Sequence, residues 1–234
     1  PARHDRLADF RVAVLPPIEW LKVDSEVMGA VAKLAEDLSK SGAQVKEVQP
    51  KAFGDLRGHH RLYLSLLACV SAIGSSEEER QHSIEVSEAP LGAQEFEEAW
   101  RRGLGASVSD FMIWLREREL FRRSYADFFN EWDVLLAPAY IVPAFPHTEA
   151  PRLERRLNVN GQSVEYGLGL AYPALANLCG QPATAFPTGL TRAGLPIGLQ
   201  AIGPYLEDRT TIRFAALVGQ EFGDFCSPPG YNLD

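Results

Sequence analysis

The sequence predicts an α/β fold. Three observations support this prediction: short apolar strands alternate with amphipathic helices along the chain, prolines end several of the strands, and 234 residues at 46% hydrophobic content are enough to bury a full core. No internal repeat, low-complexity tract or clear linker interrupts the pattern. We therefore expect residues 1–234 to form a single domain.

The first unit is a strand, a helix and a second strand within residues 11–49. The run 11–15 is an apolar strand that two prolines end, and Asp24 or Ser25 caps a helix whose apolar residues recur every three or four positions. Gly42 ends this helix, and 44–48 follows as a strand. If both strands belong to one sheet, they are parallel.

The middle of the chain predicts two helical regions, 55–73 and 93–131. Aromatic residues recur at helical spacing along the second region, which favours a packing stripe. A buried strand at 133–138 ends at proline, and the turn Asn160-Gly161 predicts a hairpin over 157–164.

The C-terminal third contains two further strands and a closing helix. Gly180 is placed to end a short helix in a left-handed conformation. Strands follow at 183–187 and 196–202, with a glycine-bounded turn between them, and a helix at 207–222.

Composition argues against several classes of partner. The net charge of −8 and pI near 5.2 disfavour a nucleic-acid surface, which needs clustered Lys and Arg. The longest apolar stretch, 62–73, is shorter than the roughly 18 to 20 residues of a membrane span. Three widely spaced cysteines and a start without a signal-peptide pattern favour a cytoplasmic protein.

No catalytic or cofactor motif is present. Gly74-Ser75-Ser76 precedes three glutamates, which is typical of a helix N-cap and not of an oxyanion-binding loop. The histidines match neither a serine triad nor a zinc motif, and the pair His59-His60 favours a packing or surface role. We expect no catalytic residue, no metal site and no cofactor in this chain.

One long segment carries a family resemblance. It runs Ala171-Tyr-Pro-Ala-Leu-Ala-Asn177-Leu-Cys-Gly180-Gln-Pro182 and continues to Gly194-Leu-Pro196-Ile-Gly198-Leu-Gln200. This segment resembles the C-terminal part of amidase signature family hydrolases. The strand at 11–15, the strand at 132–138 and the helix at 206–222 extend the resemblance over about residues 8–222.

The resemblance implies a mixed β-sheet flanked by helices and an enzyme that cleaves carboxamides through a serine acyl-enzyme. Such enzymes carry a serine nucleophile, a bridging serine and a lysine on an earlier Gly/Ser-rich segment. That segment is absent here, and all five lysines lie in the first 51 residues. We expect the chain to be the C-terminal portion of an amidase-like domain and to be inactive alone.

The resemblance also implies a small-molecule amide substrate and places part of its pocket on the helix before Gly180. Gly167, Leu170 and Ala174 would share one helical face, and Asn177 would lie at its end. Small residues on that face leave room for a substrate, but they also permit close packing. Asn177 also has an alternative to substrate contact: it could be a buried amide that forms hydrogen bonds with backbone groups around the turn.

Two functions remain open from the sequence. The chain is either the C-terminal piece of a longer amidase or a non-catalytic binding or assembly subunit related to amidases. The strands at 12–15, 134–137 and 183–186 contain no charged residues, which indicates that other parts of a protein pack against them. We therefore expect a homo-oligomer or association with the missing N-terminal half.

Overall fold

The computed structural model describes residues 1–48, 54–88, 95–150, 154–223, 225–228 and 230–231. The strands are β1 (Arg11–Val14), β2 (Gln44–Glu47), β3 (Val134–Pro138), β4 (Arg156–Val159), β5 (Gln162–Glu165), β6 (Ala183–Leu190) and β7 (Pro196–Ile202). The helices are α1 (Ser25–Lys40), α2 (Leu56–Ser71), α3 (Glu77–Glu88), α4 (Glu95–Leu104), α5 (Val108–Glu131), α6 (Ala171–Asn177) and α7 (Asp208–Phe222). Short 3₁₀ turns cover Leu7–Asp9, Ala72–Gly74 and Tyr166–Leu170.

Five strands form one mixed sheet in the order β2-β1-β3-β7-β6. β1 is parallel to both β2 and β3, whereas β7 is antiparallel to β3 and to β6. The predicted strand–helix–strand unit is thus confirmed, with Val12 beside Val45 on one side and beside Val134 on the other. The mixed sheet flanked by helices is the predicted fold class.

Helices cover both faces of this sheet. On one face, α1 and α7 pack on alternate residues of the sheet, including Val12, Leu136 and Phe186. On the other face, α2, α5 and α6 pack over Ala13, Leu135 and neighbouring residues. The alternation follows from the two-residue period of a strand, which sends successive side chains to opposite faces.

The prediction of a single helix over 93–131 is wrong, because two helices occupy this region. The predicted start at residue 93 lies outside the described residues. α4 ends at Leu104 and α5 begins after Ser107. The Ser107 hydroxyl accepts a hydrogen bond from the Asp110 amide (3.1 Å), and the Asp110 carboxylate accepts one from the Ser107 amide (3.0 Å). This capping box satisfies the first amides of α5 and so starts a new helix there.

The predicted turns and caps are confirmed. Asn160 and Gly161 have φ angles of 51° and 82°, as a tight hairpin between β4 and β5 requires. Gly180 has a φ of 71° just after α6. Ser76 and Glu79 exchange hydrogen bonds at the start of α3, so Ser76 is a helix cap.

A buried carboxylate connects the N-terminus to β3 and α7. The side chain of Asp133 is 1% exposed and accepts hydrogen bonds from Arg3 (2.9 Å) and Arg11 (2.7 Å). Arg3 also donates to Glu207, which precedes α7, at 2.7 Å. Burial opposes ionisation, but the hydrogen bonds from Arg11 and Arg3 outweigh it and hold the pKa of Asp133 well below its usual range.

Helices α2 and α4 approach each other through small residues. The Ser65 hydroxyl donates to the Ala99 carbonyl (2.9 Å), and the Cys69 thiol donates to the Gly103 carbonyl (3.1 Å). A Cβ at Gly103 would lie 2.2 Å from the Ser65 carbonyl oxygen. Glycine at this position therefore sets the distance between the two helices.

Candidate functional site

The two edges of the sheet differ in charge. β2 forms one edge and carries Lys46 and Glu47, whose exposed charges oppose pairing with another strand. β6 forms the other edge within the described residues, and its sequence Ala-Thr-Ala-Phe-Pro-Thr-Gly-Leu contains no charged residue. Within β6, Pro187 and the register shift between Pro187 and Gly189 limit further hydrogen bonding at that edge.

One face of β6 is open to solvent. Ala183 and Ala185 are exposed, and we call this pair the β6 shelf. Their cross-strand neighbours on β7 are Ile202 and Gln200, and both of these are buried. The cover over the sheet thus stops between β7 and β6, so the β6 shelf is bare while its neighbouring strand is covered.

Gln200 connects the sheet to α6. Its side-chain amide donates to the Pro138 carbonyl at the end of β3 and to the Tyr172 carbonyl in α6, both at 3.0 Å. Because Gln200 is buried, these bonds satisfy two carbonyls that have little access to water. Gln200 therefore holds α6 against the sheet beside the β6 shelf. It belongs to the motif recognised in the sequence, but nothing in the sequence assigned it this role.

The four predicted substrate-binding residues have different surroundings. Gly167 is buried and its carbonyl accepts a hydrogen bond from His60 (3.1 Å), while Ala174 is fully buried in α6. Leu170 is half-buried in the 3₁₀ turn before α6. Asn177 is exposed at the end of α6, where its amide donates to the Tyr63 hydroxyl (3.5 Å).

These positions bear on the two alternatives for Asn177. In the described structure Asn177 is exposed at the end of α6, so it lacks the surroundings of a buried amide. Gly167 and Ala174 face the interior of this structure, where they permit close packing. Substrate contact by the four residues stays a prediction.

The buried histidines have packing roles, as the sequence favoured. His59 packs edge-on against Phe121, and its Nε2 lies 3.9 Å from the Cys179 sulfur. Burial lowers the pKa of His59 to about 3 and raises the pKa of Cys179 to about 12. Both groups are therefore neutral at physiological pH, and Cys179 is not a thiolate nucleophile.

An aromatic side chain adjoins the predicted pocket segment. Tyr140 follows β3 and lies over Gly169, where a Cβ would come within 2.0 Å of the Tyr140 hydroxyl oxygen. Its ring stacks on Phe145, which is 44% exposed and contacts Tyr166. Burial raises the pKa of Tyr140 to about 12, so the hydroxyl is a neutral donor and acceptor.

The lysines in the described structure include one on the far edge strand and two on α1. Lys46 is on the opposite edge of the sheet, and Lys33 and Lys40 form ion pairs with acidic residues of α1. No group of three or more His, Cys, Asp or Glu in the described ranges could hold a metal ion. In the same ranges, no helix has both the length and the apolar content to cross a bilayer.

Comparison with known sequences identifies a family for this chain. The profile of the family described as Amidase matches residues 1–212. The chain is 27% identical over 213 residues to indoleacetamide hydrolase of Bradyrhizobium diazoefficiens, covering 89% of this chain and 37% of that protein. It is 36% identical over 101 residues to a glutamyl-tRNA(Gln) amidotransferase subunit of Agathobacter rectalis, covering 43% of this chain and 18% of that protein.

Solved structures share the fold. A crystal structure described as an amidase superposes with a TM-score of 0.68 at 23% identity, covering 95% of this chain and 48% of the other. The corresponding glutamyl-tRNA(Gln) amidotransferase subunit of Thermotoga maritima gives 0.67 at 20% identity, with 95% and 46% coverage. The chain thus spans less than half the length of each of these relatives. Because the Amidase family profile matches residues 1–212, the chain belongs to the amidase signature family.

Proposed function

We propose that this chain is the C-terminal portion of an amidase-like hydrolase that cleaves carboxamide carbon–nitrogen bonds through a serine acyl-enzyme. The serines and lysine of that reaction would come from sequence outside the 234 residues, and the chain alone would be inactive. The supporting observation is the uncharged edge strand β6, which leaves the sheet incomplete beside the motif that carries the family resemblance.

The sheet itself indicates where the missing part would attach. Of the three uncharged strands that the sequence identified, β1 and β3 are central and already covered within the chain. β6 alone of the three lies at an edge in the described structure, and its shelf is exposed. We infer that strands or helices of the N-terminal half cover the β6 shelf, since a bare apolar edge otherwise promotes aggregation.

The substrate would bind between that N-terminal half and the end of α6. Asn177 is the predicted residue that reaches this surface, and its amide can both donate to and accept from a carboxamide. Gly167, Leu170 and Ala174 would shape the wall behind it, with Tyr140 over Gly169 at one side. Gln200 would hold this wall at a fixed distance from the sheet.

The length of the sequence alignments supports hydrolysis over amide transfer. The alignment with the indoleacetamide hydrolase runs over 213 residues, whereas the alignment with the amidotransferase subunit runs over 101. We propose a small-molecule amide as substrate. The half-buried, buried and exposed free cysteines fit a reducing cytoplasm, which we propose as its location.

The native polypeptide provides the main test. An antibody raised against this chain would isolate it from its source, and a fluorophosphonate probe would label an active serine on it. We expect a labelled species near twice 25.8 kDa and no labelling of the 234-residue chain. An unlabelled native species of 25.8 kDa would contradict the proposal and favour a non-catalytic subunit.

A variant of the full-length enzyme would test the substrate wall. Asn177→Ala should lower kcat/KM by about tenfold or more, because a substrate amide would lose a hydrogen-bond partner, while the melting temperature stays unchanged. The matched control is Gln220→Ala, which removes an exposed amide from α7 on the other face of the sheet. Equal kcat/KM values for both variants would exclude substrate contact by Asn177.

A further inference from the structure

Helix α5 carries apolar side chains on its outward surface as well as on its buried one. Its inner side contributes Trp114, Tyr125 and Phe128 to the core. On the outer side, Ile113 is 54% exposed and Leu120 is 62% exposed. Single exposed apolar residues are ordinary, but these two are seven residues apart and so lie on the same side of the helix, two turns from each other.

Two charged residues lie between them. Arg116 and Glu117 are exposed and complete a diamond at positions i, i+3, i+4 and i+7, which is the pattern through which crossing helices pack. We call these four residues, Ile113, Arg116, Glu117 and Leu120, the α5 outer face. Neighbouring positions on a helix point about 100° apart, and Arg116 and Glu117 form no ion pair with each other in the described structure.

The other charges near this face are engaged within the helix. Glu119 forms ion pairs with Arg118 (3.6 Å) and Arg122 (3.2 Å). Across the described part of the chain, Arg116 and Glu117 have no ion-pair partner. Their charges are therefore available to a partner molecule.

The α5 outer face is complementary to itself. Suppose that α5 of a second copy packs antiparallel against α5, with a two-fold axis between Arg116 and Glu117. Ile113 then contacts Leu120 of the second copy. The same axis places Arg116 against Glu117 of the second copy, and it does so twice. One turn further out, Asp110 is opposite Arg123 of the second copy. Apolar residues meet apolar residues and each charge meets its opposite.

We propose that the chain forms a two-fold homodimer through the α5 outer face. A second copy is favoured over an unrelated partner because the order apolar, positive, negative, apolar is complementary to its own reverse. This surface lies on α5, whereas the association inferred for the missing N-terminal half uses the edge strand β6. The two interactions therefore involve different residues.

Sedimentation equilibrium of the 234-residue chain tests this dimer. The wild type should change from 25.8 kDa toward twice that mass as its concentration rises. Ile113→Asp should weaken the dimer by about tenfold or more, since each substitution acts twice in a two-fold interface. The matched control is Ile212→Asp on α7, where the isoleucine is 57% exposed, and it should leave the dimer unchanged.

A charge exchange makes the test specific for orientation. In the proposed dimer, position 116 of each copy faces Glu117 of the other copy. Arg116→Glu therefore places like charges opposite each other at both contacts and should weaken the dimer by about tenfold or more. Adding Glu117→Arg restores opposite charges and should return affinity to within about threefold of the wild type. A general loss of folding would not be rescued in this way, and circular dichroism of each variant would detect it.

Crosslinking gives a second measurement. Ile113→Cys combined with Leu120→Cys, in a Cys226→Ser background, should form disulfide-linked dimers. The two positions are about 10.5 Å apart along one helix, too far for a bond within one chain. A chain that stays monomeric at all concentrations, or a dimer insensitive to both Ile113→Asp and Arg116→Glu, would overturn the proposal. The second result would assign self-association to another surface such as the β6 edge.

Discussion

Replacing Gly103 with alanine tests whether the contact between α2 and α4 is as close as the structure shows. Alanine is the better helix former by about 1 kcal/mol, so helix propensity alone predicts that Gly103→Ala stabilises the protein. The structure predicts the opposite. The added methyl group would lie 2.2 Å from the Ser65 carbonyl oxygen and 2.6 Å from the Ala68 Cβ.

The magnitude follows from those distances. Ordinary carbon contacts lie at about 3.5–4.0 Å, so α4 must move away from α2 by more than about 1 Å. Such a move lengthens the hydrogen bonds from Ser65 to the Ala99 carbonyl and from Cys69 to the Gly103 carbonyl. Overpacking of this kind costs about 1–3 kcal/mol, which exceeds the gain in propensity. We expect a net loss of about 1–2 kcal/mol in the free energy of unfolding.

Urea denaturation followed by circular dichroism measures this loss. With a slope of about 2 kcal/mol/M, the midpoint should fall by about 0.5–1 M. The control is Gly29→Ala in α1, where no atom lies within 4 Å of the added methyl group. That variant should raise the midpoint by about 0.2–0.5 M. A midpoint for Gly103→Ala equal to that of Gly29→Ala would refute the reasoning from close packing.

Two further predictions concern stability. Asp133→Asn should lower the free energy of unfolding by about 2–4 kcal/mol, because it removes a buried charge partner from Arg3 and Arg11. Since the pKa of folded Asp133 is below its unfolded value of about 3.9, its contribution is present above about pH 4 and is lost as pH falls further. Denaturation midpoints between pH 6 and pH 2 should therefore converge for Asp133→Asn and wild type, and a constant difference would contradict this assignment. Gln200→Leu should cost about 2 kcal/mol and speed hydrogen exchange in α6, because two buried carbonyls lose their donor. Unchanged exchange in α6 would show that Gln200 does not hold that helix.

Local patterns in the sequence predicted most of the elements. The unit from β1 to β2 follows from apolar periodicity and caps, and the turn at Asn160 follows from the positive φ angles that Asn-Gly tolerates. The break between α4 and α5 was missed because the aromatic stripe continues on both sides of it. A capping box at Ser107 and Asp110 was present in the sequence and could have indicated it.

Contacts between distant residues could not be predicted in the same way. Arg3, Asp133 and Glu207 are separated by more than 70 residues from one another, and no local pattern relates them. The antiparallel placement of β7 between β3 and β6 likewise depends on the whole sheet. For the candidate site, the sequence located the segment around Asn177 but not its exposure, which depends on how far α6 extends over the sheet.

The ion pairs of Arg3 make the first residues part of the folded core. A protease cut after His4 would leave Asp133 buried with one fewer arginine and would free Glu207, at the start of α7, from its ion pair with Arg3. Such a cut removes no strand and no helix, yet it would loosen β3 and α7 together. Sensitivity of β3 and α7 to a cut near Arg3 is thus a consequence of placing a carboxylate at the residue just before β3.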